Sequence, residues 1–171
     1  FKNENIEVRI PKMALYDTLI FKYHNSLDTL KNCFSPIHKI HNIKTALHKP
    51  YYISVKNSVP ENLRNKAFIC EVSKKGNLIY RGGTWNNGKL STEIRNFGDF
   101  TVSIDTTPPI ITPLNIEEGK TMNSSSIRIN IKDKLSGIKS YRGEINGSWI
   151  IMEYDPKRNR LTHFFEKKLE K

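Results

Sequence analysis

Apolar and polar residues alternate with a period of two along most of this chain. Ile6, Val8 and Ile10 alternate with Glu7 and Arg9, which is the pattern of a strand with one buried face. Further segments of strand character are residues 19–24, 51–55, 68–73, 78–81, 90–94 and 100–104. Residues 25–49 are rich in polar and turn residues, so we interpret them as a loop. About seven short strands in the first ~105 residues predict a β-sandwich.

Local turn signals divide these strands. Pro60 is typical of the first position of a helix, and residues 60–64 are expected to form one short helical turn. Asn87-Gly88 predicts a two-residue hairpin, because both central positions of a type I′ turn need positive φ. The segment 83–89 also has the spacing of a phosphate-binding loop, but Leu90 stands where that motif needs Ser or Thr. The hairpin is the favoured interpretation.

A second alternating region follows a proline-rich break at residues 105–109. Two consecutive prolines, Pro108 and Pro109, hold the chain extended and indicate a short linker. Residues 110–114, 127–132, 138–145, 148–154 and 161–165 are then expected to be strands. About five strands are fewer than the ~7 of a closed sandwich, so an apolar face would stay uncovered unless more chain or a neighbour covers it. We therefore predict two tandem immunoglobulin-like β-sandwich domains, 1–106 and 107–171, with the second lacking its last strands.

The net charge of +11 raises the question of nucleic-acid binding. Lysines and arginines are spread along the whole chain, and the densest runs, at 157–160 and 167–168, are short. Spread charge is typical of solvated sheet surfaces and suits polyanionic or cell-wall surroundings, so no nucleic-acid partner is expected. No apolar stretch approaches the ~18 residues that a membrane span requires. We expect no signal peptide within this sequence, which opens at Phe1, and we expect it to be a mature product, a trimmed form or a fragment.

Two cysteines, Cys33 and Cys70, are present. Two are too few for a disulfide scaffold, and their spacing matches no metal motif. Cys70 lies in the apolar run 67–70, where a buried free thiol is the simpler interpretation. A Cys33–Cys70 disulfide in an oxidising compartment is the alternative, and the sequence leaves both open.

No constellation of catalytic or metal-binding residues stands out. His24 and Asp28 have the H-x-x-x-D spacing found at some zinc sites, with His38, His41 and His48 downstream. Catalytic zinc needs three converging ligands, and the chain contains no H-x-H pair. A G-x-S-x-G motif and a paired set of carboxylates are also missing. We therefore predict no catalytic residue, metal or cofactor in this chain.

Aromatic residues near the hairpin turns are the candidate binding residues. Trp85 and Trp149 lie beside such turns, and Tyr141 flanks a predicted strand. Exposed aromatic side chains on a sandwich can stack on sugars or peptides. Core or cross-strand packing is the more common role of such residues, so this site is a hypothesis.

Several segments, taken in order, resemble a known family. They are residues 10–17, 47–50, 96–100 with 105–109, and 135–143 with 145–147 and 153–155. Over nearly its whole length the chain is similar to the C-terminal, non-catalytic region of secreted bacterial lysostaphin-type (LytM-like) zinc endopeptidases. In that family an upstream peptidase domain holds zinc through H-x-x-x-D and H-x-H motifs and cuts peptidoglycan cross-links. Residues 24–28 lack the glycine that the family places before its Asp, so no zinc ligand is carried over.

The resemblance implies a secreted, periplasmic or cell-envelope location and two partners, the peptidase domain of the same protein and peptidoglycan. On this basis the chain is expected to be a non-catalytic accessory module that positions or regulates a cell-wall peptidase or contacts the wall. The alternative is a stand-alone, adhesin-like module that binds carbohydrate or protein at the surface.

Overall fold

The computed structural model describes residues 1–26 and 30–165 and confirms the predicted all-β, sandwich-like fold. Strands account for 44% and helix for 4% of the residues that the structure describes, so antiparallel sheets carry the architecture. The chain divides into two compact units, unit 1 from Phe1 to Thr106 and unit 2 from Thr107 to Lys171. The boundary lies within the proline-rich segment 105–109.

Unit 1 contains two antiparallel sheets. Its strands in the described residues are β1 (Ile6–Arg9), β2 (Tyr23–Ser26), β3 (Ile37–Ile40), β4 (Tyr51–Val55), β5 (Ala67–Val72), β6 (Leu78–Tyr80), β7 (Thr84–Asn86), β8 (Lys89–Ile94) and β9 (Gly98–Ile104). A four-stranded sheet has the order β1-β4-β8-β7, and a five-stranded sheet has the order β2-β3-β9-β5-β6. The chain therefore passes repeatedly from one sheet to the other, for example from β4 to β5 and from β8 to β9, as the two layers of a sandwich require.

The core of unit 1 lies between these sheets. The four-stranded sheet contributes Ile6, Ile53 and Leu90, and the five-stranded sheet contributes Ile69 and Phe100, all with no exposed surface. The period-two pattern of the sequence places these residues on the inner faces. Burial of apolar surface at roughly 25 cal/mol per Å² makes this cluster the main stabilising feature of the unit.

Two predicted local structures are confirmed. A 3₁₀ helix spans Glu61–Lys66, with Pro60 at its N-cap position. Asn87 and Gly88 have φ values of 47° and 73° and join β7 to β8. The segment 83–89 is thus part of a hairpin, which rules out the helix opening that a phosphate-binding loop requires.

Two expectations for residues 19–49 are wrong. The predicted strand 19–24 begins only at Tyr23, because Leu19 and Phe21 pack against the core without sheet partners. The predicted loop 25–49 contains β3, whose inward positions are His38 and Ile40. A histidine at an inward position hides the apolar alternation from sequence inspection.

Unit 2 contains a four-stranded sheet and a separate hairpin. The strands are β10 (Ile110–Pro113), β11 (Ser126–Lys132), β12 (Gly143–Ile145), β13 (Ser148–Ile150), β14 (Glu153–Asp155) and β15 (Arg160–Phe164). The sheet has the order β10-β11-β15-β14, and β12 pairs only with β13 among the described residues. The predicted strand 138–145 is shorter than expected, whereas the turn at Asn146 and Gly147, with φ values of 50° and 79°, is confirmed.

The sheet of unit 2 has one apolar and one polar face. Ile129 and Ile131 lie on the inner face with Leu161, and Arg128 and Arg160 lie on the other. Within the described part of unit 2, Ile131 and Leu161 are the only buried hydrophobic residues, and each is still 5% exposed. The core of this unit is therefore thin. Across residues 1–26 and 30–165, no helix has the length and apolarity needed to cross a membrane.

Candidate functional site

Exposed aromatic side chains border a cleft of about 420 Å³ in unit 2. The residues that define this aromatic cleft are Trp149, Ile150, Ile151, Glu153, Thr162, His163, Phe164 and Phe165. Trp149 is 59% exposed, Ile151 65% and Phe164 57%. Large apolar side chains exposed together in this way often mark an interaction site.

Two neighbouring elements place these aromatic residues. The tight turn at Asn146-Gly147 brings β13 back along β12, and Trp149 pairs with Glu144. In β15, Leu161 points to the inner face, so Phe164 must point to the outer face. Strand alternation thus exposes the ring of Phe164.

Hydrogen bonding fixes the imidazole at this cleft. His163 Nδ1 donates to the carbonyl oxygen of Ile151 at 2.9 Å, because a carbonyl can only accept. The imidazole ring also contacts the ring of Phe165 edge-on, with centroids 5.1 Å apart. In the neutral imidazole, Nε2 is then left as an acceptor.

The cleft combines apolar rings with polar groups. The indole of Trp149 and the ring of Phe164 offer faces for stacking, and the carboxylate of Glu153 and the hydroxyl of Thr162 offer hydrogen-bonding atoms. Flat apolar surfaces beside directional polar groups are suited to sugar rings and to peptides with polar side chains.

A second, larger depression lies over the inner face of the unit 2 sheet. This apolar groove, about 730 Å³, is lined by Ile111, Ile127, Ile129, Ile131, Tyr141, Ile145, Ile150, Met152 and Leu161. Tyr141 is 42% exposed, and its hydroxyl donates to the carbonyl of Met152 at 3.2 Å. Its ring lies 5.7 Å from that of Tyr154. Tyr141 therefore has both a packing contact and an exposed edge.

The third predicted residue, Trp85, belongs to unit 1. Its indole Nε1 donates to the carbonyl of Arg64 at 2.8 Å, and the guanidinium of the same arginine lies 5.1 Å from the ring centroid. Trp85 also packs against the core as a half-buried residue. These contacts join β7 to the 3₁₀ helix and leave less of the indole for a ligand.

Trp149 and Tyr141 thus share unit 2 but line different depressions, and Ile150 borders both. Sequence inspection missed His163, Phe164 and Phe165. The available signal was the alternation of β15, since an inward Leu161 requires an outward Phe164 three positions later. The residues that lie near Trp149 depend on the pairing of β15 with β14. No local sequence pattern predicts this pairing.

The remaining histidines were the other candidate ligands. In the described segments, no group of three or more His, Cys, Asp or Glu side chains is placed to hold a metal ion. His24 lies on β2 with its side chain exposed, and Asp28 lies outside the described residues. His38 is fully buried, and its Nδ1 lies 2.8 Å from the Tyr23 hydroxyl oxygen.

Comparisons with known proteins give one relationship, and it concerns unit 1. Searches for similar curated proteins and for similar solved structures find no match. The family model of the Zu5-like domain matches residues 1–105, which nearly coincide with the two-sheet sandwich of unit 1. Because this match covers more than half of the 171 residues, the chain belongs to the Zu5-like domain family.

Proposed function

We propose that this chain is a non-catalytic binding module of a cell-envelope protein and contacts peptidoglycan through the aromatic cleft of unit 2. The observation that carries the proposal is the exposure of Trp149 and Phe164 beside Glu153 and His163. A small unit with a thin core exposes large rings at a cost in solubility, so these rings are best explained by a ligand that covers them.

Peptidoglycan has the chemistry that such a cleft can recognise. Its glycan strands present flat sugar faces to aromatic rings, and its peptides present amides and charged groups to Glu153, Thr162 and His163. The net charge of +11 adds a general attraction to anionic envelope surroundings. The resemblance to lysostaphin-type endopeptidases supports a secreted or periplasmic protein in which the module positions or regulates an upstream peptidase domain.

Binding to insoluble peptidoglycan tests the proposal. The wild-type chain is expected to sediment with purified peptidoglycan, and Trp149→Ala is expected to weaken binding at least ~5-fold, about 1 kcal/mol for one stacked ring. Tyr16→Ala is the matched control, because Tyr16 is an aromatic residue of unit 1 that is 72% exposed. Circular dichroism of each variant verifies folding.

A wild-type chain that stays in solution, or a Trp149→Ala variant that binds as tightly as wild type, would disprove the proposal. Soluble glycan strands and stem peptides, added separately as competitors, identify which component the cleft recognises. We expect no soluble fragments to be released, since the proposed module binds without cutting.

An adhesin-like module is the second candidate, and the apolar groove favours it. The exposed parts of Ile111 and Tyr141 border this groove, and contiguous apolar surface of this kind suits a protein partner. The full reading frame separates the two functions. An upstream domain with H-x-x-x-D and H-x-H motifs supports the peptidase accessory module, and its absence supports the adhesin-like module.

A further inference from the structure

Cys33 and Cys70 lie on one face of the five-stranded sheet of unit 1. Cys70 of β5 pairs with Thr101 of β9, and Cys33 forms an isolated bridge with Ser103 on the other side of β9. Thr101 and Ser103 are two positions apart, so they point to the same face of the sheet, and their bridge partners point there too. The two cysteines therefore flank β9 on opposite edges, and the register points both thiols to the same face of the sheet.

Hydrogen bonds hold the segment that contains Cys33, residues 32–35, over this face. Ser103 Oγ donates to the carbonyl of Asn32 at 2.8 Å, and Thr101 Oγ1 donates to the carbonyl of Ser35 at 2.9 Å. These bonds hold the segment against the side chains of β9. Two strands that flank a third one lie about 9.6 Å apart, but here the thiol of Cys33 reaches hydrogen-bonding contact with that of Cys70.

The two thiols differ in access and acidity. Cys33 is half-buried and Cys70 is fully buried. Cys70 Sγ donates to the carbonyl of Thr101 at 3.5 Å, and a hydrogen bond with the Cys70 thiol once Cys33 is ionised lowers the pKa of Cys33 to about 7. The same contact, followed by burial, raises the pKa of Cys70. Cys33 is thus the accessible thiolate, and Cys70 is the second thiol held beside it.

We propose that Cys33 and Cys70 form an intramolecular disulfide by thiol–disulfide exchange with a disulfide oxidant, RSSR. The Cys33 thiolate attacks one sulfur of RSSR, giving a mixed disulfide and releasing RS⁻, which takes up a proton. Cys70 then loses its proton and attacks the sulfur of Cys33, releasing the second RS⁻. Two protein thiols become one disulfide, and RSSR takes up two electrons and two protons to become two RSH.

The second step requires a movement of residues 32–35. A disulfide needs Cα atoms about 4.4–6.8 Å apart, so the segment 32–35 must move inward over β9 when the bond closes. That segment is bonded to β9 through the Cys33–Ser103 bridge, through the Phe34 N–H, which donates to the Val102 carbonyl at 2.8 Å, and through side-chain hydrogen bonds of Ser35, Thr101 and Ser103. These bonds must rearrange when the disulfide closes. The disulfide would link residue 33, between β2 and β3, covalently to β5.

Oxidised glutathione is the probe. The reduced full chain is incubated with it, quenched by alkylation and analysed by intact mass and peptide mapping. The expected product has lost two hydrogens, carries no glutathione, and contains a peptide pair joined through Cys33 and Cys70 that dithiothreitol separates. The bond is expected to form at least ~10-fold faster in the folded chain than in urea, because folding holds the thiols together.

Single variants assign the two roles. Cys70→Ala is expected to retain one glutathione on Cys33, and Cys33→Ser is expected to keep a free thiol that reacts only after unfolding. Circular dichroism shows whether each variant folds, and the comparison of folded and urea-treated wild-type chain needs no variant. A wild-type chain that keeps both thiols, or keeps glutathione on Cys33 without closing the bond, would overturn the proposal.

Discussion

The imidazole of His38 has no exposed surface in unit 1. Its Nδ1 lies beside the Tyr23 hydroxyl, and among the described residues its Nε2 has no hydrogen-bond partner. An imidazolium there would leave one N–H donor unpaired inside the sandwich, which is costly. Burial accordingly lowers the pKa of His38 from 6.5 to about 4.

This shift makes stability depend on pH. Between pH 6.5 and 4 the unfolded chain binds a proton that the folded chain does not, so the free energy of unfolding falls as the pH drops. We expect His38 to account for a loss of up to about 3 kcal/mol at pH 4. Urea titrations at pH 4, 5 and 7 give the free energy of unfolding at each pH. This free energy should vary less with pH in His38→Gln than in wild type, whereas His24→Gln, a substitution at an exposed histidine, should give the wild-type pH dependence. An unchanged profile in His38→Gln would contradict this.

Among the elements, the hairpin of β7 and β8 shows how turn chemistry constrains the fold. Gly88 has a φ of 73°, and a Cβ added there would meet no atom within 4 Å. Any effect of substitution is therefore conformational rather than steric. Asn87, at φ 47°, already tolerates the left-handed region.

We expect Gly88→Ala to destabilise unit 1 by about 1–2 kcal/mol, because an L residue in the left-handed region strains the backbone. Asn87→Gly is the matched control and should change the free energy of unfolding by less than about 0.5 kcal/mol. Urea denaturation followed by tryptophan fluorescence measures both, and Trp85 lies in this hairpin. If Gly88→Ala and Asn87→Gly changed the free energy of unfolding equally, the positive φ of Gly88 would not explain the loss of stability.

For the whole molecule, burial differs strongly between the two units. The core of unit 1 joins residues of both its sheets, and Ile53 has no exposed surface. In unit 2 the inner face of the sheet borders an open groove, and Ile111 is 63% exposed. An apolar side chain stabilises the fold mainly through the surface that it removes from water.

Equivalent truncations should therefore differ in effect. Ile53→Ala is expected to lower the free energy of unfolding by about 2–5 kcal/mol, through lost burial and a cavity. Ile111→Ala should cost less than about 1 kcal/mol, because most of its surface is already exposed. Chemical denaturation measures both values. A large loss for Ile111→Ala would mean that the groove is covered in solution.

The sequence by itself determined the all-β class, most strand positions and the hairpin turns, because alternation and φ preferences act over a few neighbouring residues. Tertiary structure alone decided that His38 points inward, that β15 brings Phe164 beside Trp149, and that β9 brings Cys33 to Cys70. These contacts join residues distant along the chain. Strand order sets them together with the register of strands that are distant in the chain, and local turn patterns fix the register only within a hairpin.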